Sequence, residues 1–317
     1  MSNGQGNSRL TKNERREKAR EEARRAREEA KKREKRNRLL LQGGIILGVL
    51  AVIAIIAVVI VTSIRPAGPG PRNMASDGVL VQAGGQVKST PALEPDATPV
   101  PNEPNSDPNV LTIQAWVDYL CPYCGMFERT NSEYIASLVD SGAAELEVFP
   151  VSILDRASAG SKYSTRAVNA VGCVVDAKPS AFLDFHELLF KNQPTEGTTG
   201  LDDDTLIALA AEAGATDEDI AACIKEQRFK SWVADSTART LNNPDLVNPT
   251  TGGFGTPTVF VNGNRYPGSL DDPEMFKAFV TQVAAESAIL EQVETTPAPT
   301  ETPAPTETPE PSETPAS

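Results

Sequence analysis

Residues 111–128 read Leu-Thr-Ile-Gln-Ala-Trp-Val-Asp-Tyr-Leu-Cys-Pro-Tyr-Cys-Gly-Met-Phe-Glu. An apolar, strand-like run gives way to a helix at Cys121-Pro122-Tyr123-Cys124. A Cys at a helix N-terminus faces unpaired backbone N–H groups and the positive end of the helix dipole, so its thiolate is favoured. Pro122 suits the first helical turn, where the missing N–H loses no hydrogen bond. Two intervening residues bring the sulfurs within disulfide reach. The pattern assigns Cys121 as exposed nucleophile and Cys124 as the more buried, resolving thiol. Two other readings of a Cys-x-x-Cys are half a zinc site and a structural disulfide. Zinc lacks partners: there is no second Cys-x-x-Cys, His186 is the only imidazole, and Cys173 and Cys223 are isolated. The strand-to-helix context favours redox chemistry.

Outward from this junction the elements alternate. Residues 110–117 read as a strand, 121–139 as a helix and 145–151 as a second strand. Residues 160–242 read as mostly helical, with breaks at Pro179, 194–200 and Gly214. Residues 258–261 and 264–266 flank Asn262-Gly263, a two-residue hairpin signal. Pro273 starts a last helix, capped by Asp271 or Asp272 and running to about residue 291. The order is β-α-β, a helical block, then β-β-α, an α/β protein.

A second motif is Gly255-Thr256-Pro257-Thr258-Val259-Phe260-Val261-Asn262-Gly263, a proline entering a strand and hairpin after the helical block. Four segments, DYLCPYCGMFE at 118–128, FPVSILD at 149–155, FLDFHELLFKNQP at 182–194 and FGTPTVFVNG at 254–263, then give a resemblance. Over about residues 79–291 the chain resembles the DsbA-like thiol:disulfide oxidoreductases of the thioredoxin superfamily. The resemblance implies a thioredoxin fold with an inserted helical domain. It implies a cis Thr256–Pro257 bond beside the Cys121–Cys124 sulfurs. It makes Pro122, Tyr123, Thr256 and Pro257 the active-site loops that meet an extended substrate peptide by a form of strand addition. It implies reoxidation by a quinone-coupled membrane partner. Superfamily members often carry a buried carboxylate six residues before the first Cys; here that residue is Ala115. Alternation along the strand sends Asp118 to the other face. Tyr123 stands where the type member has His, which leaves the potential open over roughly −270 to −120 mV.

Composition bounds the rest. Residues 1–38 hold 15 Lys/Arg against 7 Asp/Glu, net +8, while the remaining chain is net −21. An acidic bulk argues against nucleic-acid binding, which needs a basic face. One His excludes His-rich metal sites and disfavours a Ser-His-Asp hydrolase. No cofactor and no metal is expected. Residues 39–64 form 26 uncharged residues, about 39 Å as a helix against a hydrocarbon core of about 30 Å. That is too long for a signal-peptide core and reads as a retained single-pass anchor. Six of the eight residues 31–38 are basic, which places the N-terminus in the cytoplasm and the rest outside. The stem 1–38 should be helical, supported by Glu14/Lys18 and Glu29/Arg33, with an Ala stripe at 19, 23, 26 and 30. Its basic residues should attract anionic lipid. The same stem, span and Pro-rich linker are similar to the anchored actinobacterial members of the family.

The expected domains are the stem 1–38, the membrane helix 39–64, and a Pro-rich linker 65–108 with an edge strand at 79–82. Then come a first thioredoxin half at 109–157, a helical insertion at 158–243 and a second half at 244–293. A disordered Thr/Pro/Glu tail follows at 294–317. Cys173 and Cys223 lie on apolar helical faces of the insertion, as two buried free thiols or, preferred outside the cytoplasm, one structural disulfide. His186 reads as a packing residue, Trp116 and Phe260 as core, and Tyr123 as exposed. The function expected is a membrane-tethered oxidase exchanging the Cys121–Cys124 disulfide with cysteines of reduced or misoxidised secreted proteins. A reductase or isomerase is the alternative within the class; a redox-inert binding module of the cell envelope is the alternative outside it.

Overall fold

The computed structural model describes residues 12–63, 68–103 and 105–295. The chain divides into two units, residues 1–66 and 67–317. The described residues of the first form one continuous helix, α1 (Lys12–Ser63). Arg24 and Glu28 pair along its charged half at 3.5 Å, whereas Glu29 and Arg33, expected to pair, do not. Its apolar half leaves Leu39, Leu47 and Ile55 exposed. The helix is long and apolar enough to cross a membrane.

The second unit is built on six strands: β1 (Val79–Gln82), β2 (Gln86–Val87), β3 (Leu111–Val117), β4 (Ala144–Pro150), β5 (Thr258–Val261) and β6 (Asn264–Arg265). Their order in the sheet is β2-β1-β4-β3-β5-β6. β3 and β4 are parallel, with Ile113 opposite Leu146, and the helix α2 (Pro122–Asp140) connects them. β5 runs antiparallel to β3, with Ala115 opposite Val259. The β5–β6 turn has positive φ at both Asn262 (44°) and Gly263 (74°), the backbone for which Asn-Gly is suited. The helical block comprises α3 (Tyr163–Ala177), α4 (Phe182–Lys191), α5 (Asp203–Glu212), α6 (Glu218–Glu226) and α7 (Lys230–Leu241). α8 (Pro273–Thr295) is the last described element, and Asp272 just before it accepts from Glu274 N through Oδ1 at 3.0 Å. Residues 296–317, where most of the expected tail falls, lie outside the described residues.

Alternation along β3 divides the core. Ile113, Ala115 and Val117 join the main cluster beneath α2, α3 and α4, while Trp116 joins Phe149, Val151 and Leu246 on the opposite face. Trp116 stacks on Phe149 at 4.3 Å and meets the half-buried Phe260 edge-on at 5.7 Å.

The segment expected to be a linker is part of this unit. Val79–Gln82 is a strand, but an interior one between β4 and β2. Pro-rich composition says nothing of what this backbone covers. Glu145 and Glu147 on β4 are buried, and residues before β3 supply donors to both, beside Gln114 of β3, which donates to Glu147 at 3.1 Å. Ser76 Oγ and Asn102 Nδ2 donate to Glu147 at 2.7 Å each. Asn105 Nδ2 donates to Glu145 at 2.8 Å. Arg239 of α7 donates twice to Asp77, both at 2.7 Å. Buried carboxylates hold such partners because leaving them unpaired is costly.

Candidate active site

β3 ends at Val117, and residues 118–121 turn the chain into α2. Cys121 is the extended N-cap residue (φ −70°, ψ 116°) and Pro122 the first helical residue. Cys124 sits one turn in and is fully buried. Cys121, expected to be exposed, is only 4% exposed. The cover is the loop of the second motif: the Thr256–Pro257 bond is cis, and Thr256 O accepts from the Cys121 thiol at 3.2 Å. The adjacent Tyr123 is 61% exposed. The structure thus brings Cys121, Pro122, Tyr123, Cys124, Thr256 and Pro257 into one site, with both cysteines as free thiols.

The two sulfurs differ electrostatically. The Cys121 pKa is lowered to about 6, first by a hydrogen bond from the Cys124 thiol. Burial opposes that shift, and the Thr256 side chain and the N–H groups of Cys124 and Tyr123 add to it. Cys124 is pushed well above its ordinary value, by burial first and then by its neighbour Cys121. Opposite shifts on adjacent thiols make one sulfur the nucleophile and leaving group and the other the protonated reserve.

Ala115 is buried in the sheet between Val148 and Val259 and carries no charge into the core. Asp118 departs from expectation. Alternation ceases where the strand ends, so it does not place Asp118 on the face opposite Ala115; the residue is fully buried and bonds to Ser164 of α3. Its Oδ1 accepts from Leu120 N (2.9 Å) and Ser164 Oγ (2.7 Å). Its Oδ2 accepts from Ile153 N (2.9 Å) and Leu154 N (3.0 Å). Burial raises its pKa to about 6, with these four donors pulling the other way. One carboxylate therefore ties the redox turn to the loop after β4 and to α3.

His186 is buried among Phe182, Phe190 and Tyr119, the packing role expected. It also has polar partners that the sequence did not signal. Its Nδ1 lies 2.9 Å from Tyr119 Oη, and its Nε2 3.3 Å from Glu128 of α2. Gln193, just past α4, donates to the carbonyls of Cys121 (2.8 Å) and Tyr119 (3.2 Å). A sequence separation of 72 between Gln193 and Cys121 hides this contact from any local pattern. Away from the site, Cys173 of α3 and Cys223 of α6 are joined by a disulfide, Cα–Cα 5.9 Å.

Residues 107–282 match the thioredoxin family model described as Thioredoxin_4. Among solved structures, the chain is similar to reduced DsbA from Mycobacterium tuberculosis. The identity is 30%, the TM-score 0.50, and the match covers 68% of this chain and 98% of that one. It is similar also to the disulfide bond oxidoreductase DsbG of the same organism, with 31% identity and TM-score 0.50, covering 70% of this chain and 95% of that one. Among curated proteins it matches the serine/threonine-protein kinase PknE of M. tuberculosis, 30% identical over 117 residues. That match takes in 36% of this chain and spans only 21% of the kinase.

Proposed function

The chain belongs to the thioredoxin family, among its DsbA-type thiol-disulfide oxidoreductases, and from that membership we propose that it is a membrane-tethered oxidase of secreted and cell-envelope proteins. The observation that carries the exchange chemistry is Cys121 at the N-cap of α2 beside the buried Cys124, a setting that lowers its pKa to about 6 and favours the oxidising sense. A stabilised thiolate stabilises the reduced pair, and a pair stable when reduced is a good oxidant.

In the oxidising cycle a substrate thiolate attacks Cys121 Sγ of the Cys121–Cys124 disulfide. The S–S bond breaks and its electron pair leaves on Cys124, which takes up a proton. A second substrate thiolate attacks the substrate sulfur of the mixed disulfide, and Cys121 departs as thiolate. Two electrons pass from substrate to enzyme. Pro122, Tyr123, Thr256 and Pro257 border the sulfur under attack and serve as the substrate-facing loops, with exposed Tyr123 touching the peptide. Cys173–Cys223 serves as a structural bridge. Reoxidation of the reduced pair falls to a quinone-coupled membrane partner. The continuous helix α1, basic before its apolar half, supports a single-pass anchor with the N-terminus in the cytoplasm and the redox unit outside.

The deciding experiment is the reduction potential of Cys121–Cys124, paired with oxidative refolding of a reduced substrate. A value near the oxidising end of the superfamily, about −120 mV, with active refolding supports the oxidase; one near −270 mV makes it a reductase. Protease added to intact spheroplasts should digest the redox unit and spare the stem, and a protected redox unit would overturn the topology.

A further inference from the structure

Helix α4 of the insertion grips the redox turn at several points. His186 Nδ1 meets Tyr119 Oη at 2.9 Å, and the Phe190 ring packs on the Tyr119 ring at 5.0 Å. Two residues past the helix, Gln193 reaches the backbone itself. Its Nε2 donates to Cys121 O at 2.8 Å and to Tyr119 O at 3.2 Å, bridging the carbonyls on either side of Leu120. Cys121 O also accepts Gly125 N at 3.1 Å, the first hydrogen bond of α2. The Gln193 amide thus sits on the carbonyl that opens the helix.

The neighbouring residue is shaped to this contact. A Cβ on Gly125 would lie 2.1 Å from Gln193 Oε1 and 2.8 Å from Arg129 Nη1. The residue directly after the Cys-Pro-Tyr-Cys turn therefore leaves room for the glutamine. The free N–H groups in the first turn of α2 favour the Cys121 thiolate only while the Cys121 backbone keeps its extended N-cap conformation. An amide donor bound to the Cys121 carbonyl holds that conformation from outside the turn.

We propose that Gln193 is a positioning residue that sets the reactivity of Cys121, making the helical insertion a determinant of redox poise and not only a cover for the core. The inference rests on Cys121 being the nucleophile. Gln193 touches no reacting sulfur; it acts through the two carbonyls. Only a side chain with an N–H donor at this length satisfies both of them. A carboxylate there faces carbonyl oxygens without a proton to share and adds a negative charge beside the sulfur that must ionise.

The test is iodoacetamide alkylation of the reduced full-length protein in detergent, followed across pH with the labelled cysteine located by mass spectrometry. Gln193→Glu should slow Cys121 labelling at pH 6 about tenfold and Gln193→Ala about threefold, with both profiles moved to higher pH. Gln193→Asn, too short to span both carbonyls, should resemble Gln193→Ala. Gly125→Ala should displace the glutamine and reproduce Gln193→Ala, and the double variant should be no slower than Gln193→Ala alone. Additive losses in that double variant overturn the proposal. So does an unchanged Cys121 profile in the Gln193 variants, even with lowered thermal stability, since that result is a purely structural contact. If Gln193→Ala fails to fold, Gly125→Ala and Gln193→Asn carry the same comparison. A wild-type Cys121 titrating near the ordinary value of about 8.5 instead removes the functional reading itself, so the two failures are distinct.

Discussion

The molecule holds two cysteine pairs in opposite settings. Cys121 and Cys124 are three residues apart at a helix start, under a loop from the other end of the fold, and are thiols in this structure. Cys173 and Cys223 are 50 residues apart, inside helices α3 and α6, and are bridged. All four are buried, so burial is not what separates them. Cys121 stands at the N-cap of α2, where the Cys124 thiol and the positive end of the helix favour its thiolate. Cys173 and Cys223 share the same apolar cluster but lie past the turn in which a helix presents free N–H groups. A disulfide becomes reactive where its thiolate is stabilised and structural where it joins distant segments.

The sharpest way to break this contrast is to remove one sulfur at a time. Cys121→Ser should abolish disulfide exchange in insulin reduction and oxidative refolding. Cys124→Ser should keep the first attack but lose internal release, so mixed disulfides accumulate on non-reducing gels. Trapping by Cys121→Ser and none by Cys124→Ser would reverse the assignment.

The second pair should respond in stability and not in chemistry. Closing a loop of 50 residues contributes about 4 kcal/mol in the chain-entropy model. Replacing both Cys173 and Cys223 by Ser should lower the Tm by roughly 8–16 °C for a unit of this size, with exchange activity retained. Mild reductant should open Cys121–Cys124 in the oxidised protein before Cys173–Cys223. Equal sensitivity of the two bridges to reductant would erase the distinction.

The smallest effect is in pH. Cys121, lowered to about 6, stabilises the reduced fold above its unfolded value of about 8.5. That contribution is lost as pH falls toward 6. Asp118, raised to about 6, acts in the opposite sense. Its contribution is present below its unfolded value of about 3.9 and is lost as pH rises through 6. Urea titrations of the reduced protein at pH 4, 6 and 8 separate the two, because Cys121→Ser should remove only the component rising with pH. A Cys121→Ser variant with an unaltered pH dependence would deny Cys121 its share.

How much was legible follows the range of each interaction. The helix-start cysteines, the Asn262-Gly263 turn and the strand alternation around Trp116 are local patterns, and they reappear as α2, the β5–β6 hairpin and the two faces of β3. Cys121 was read as exposed because its cover, Thr256, comes from 135 residues away. The strand period, extended one residue past the strand, predicts Asp118 on the face opposite Ala115, but the chain has already turned there. The segment before residue 108 was read as linker because Pro-rich composition does not disclose that Ser76, Asn102 and Asn105 satisfy carboxylates on β4.

The identity of the chemistry is local: which sulfurs stand at a helix N-terminus and where a long uncharged helix runs. Those are properties of a few consecutive residues, set by backbone geometry and hydropathy. The tertiary structure alone decided the poise of that chemistry. Cys124 buried as a donor to Cys121, Asp118 pinning three segments, and Gln193 on the Cys121 carbonyl all join residues far apart in the chain. Hydrogen bonds and desolvation depend on what surrounds a group in space, and chain order does not encode that neighbourhood locally.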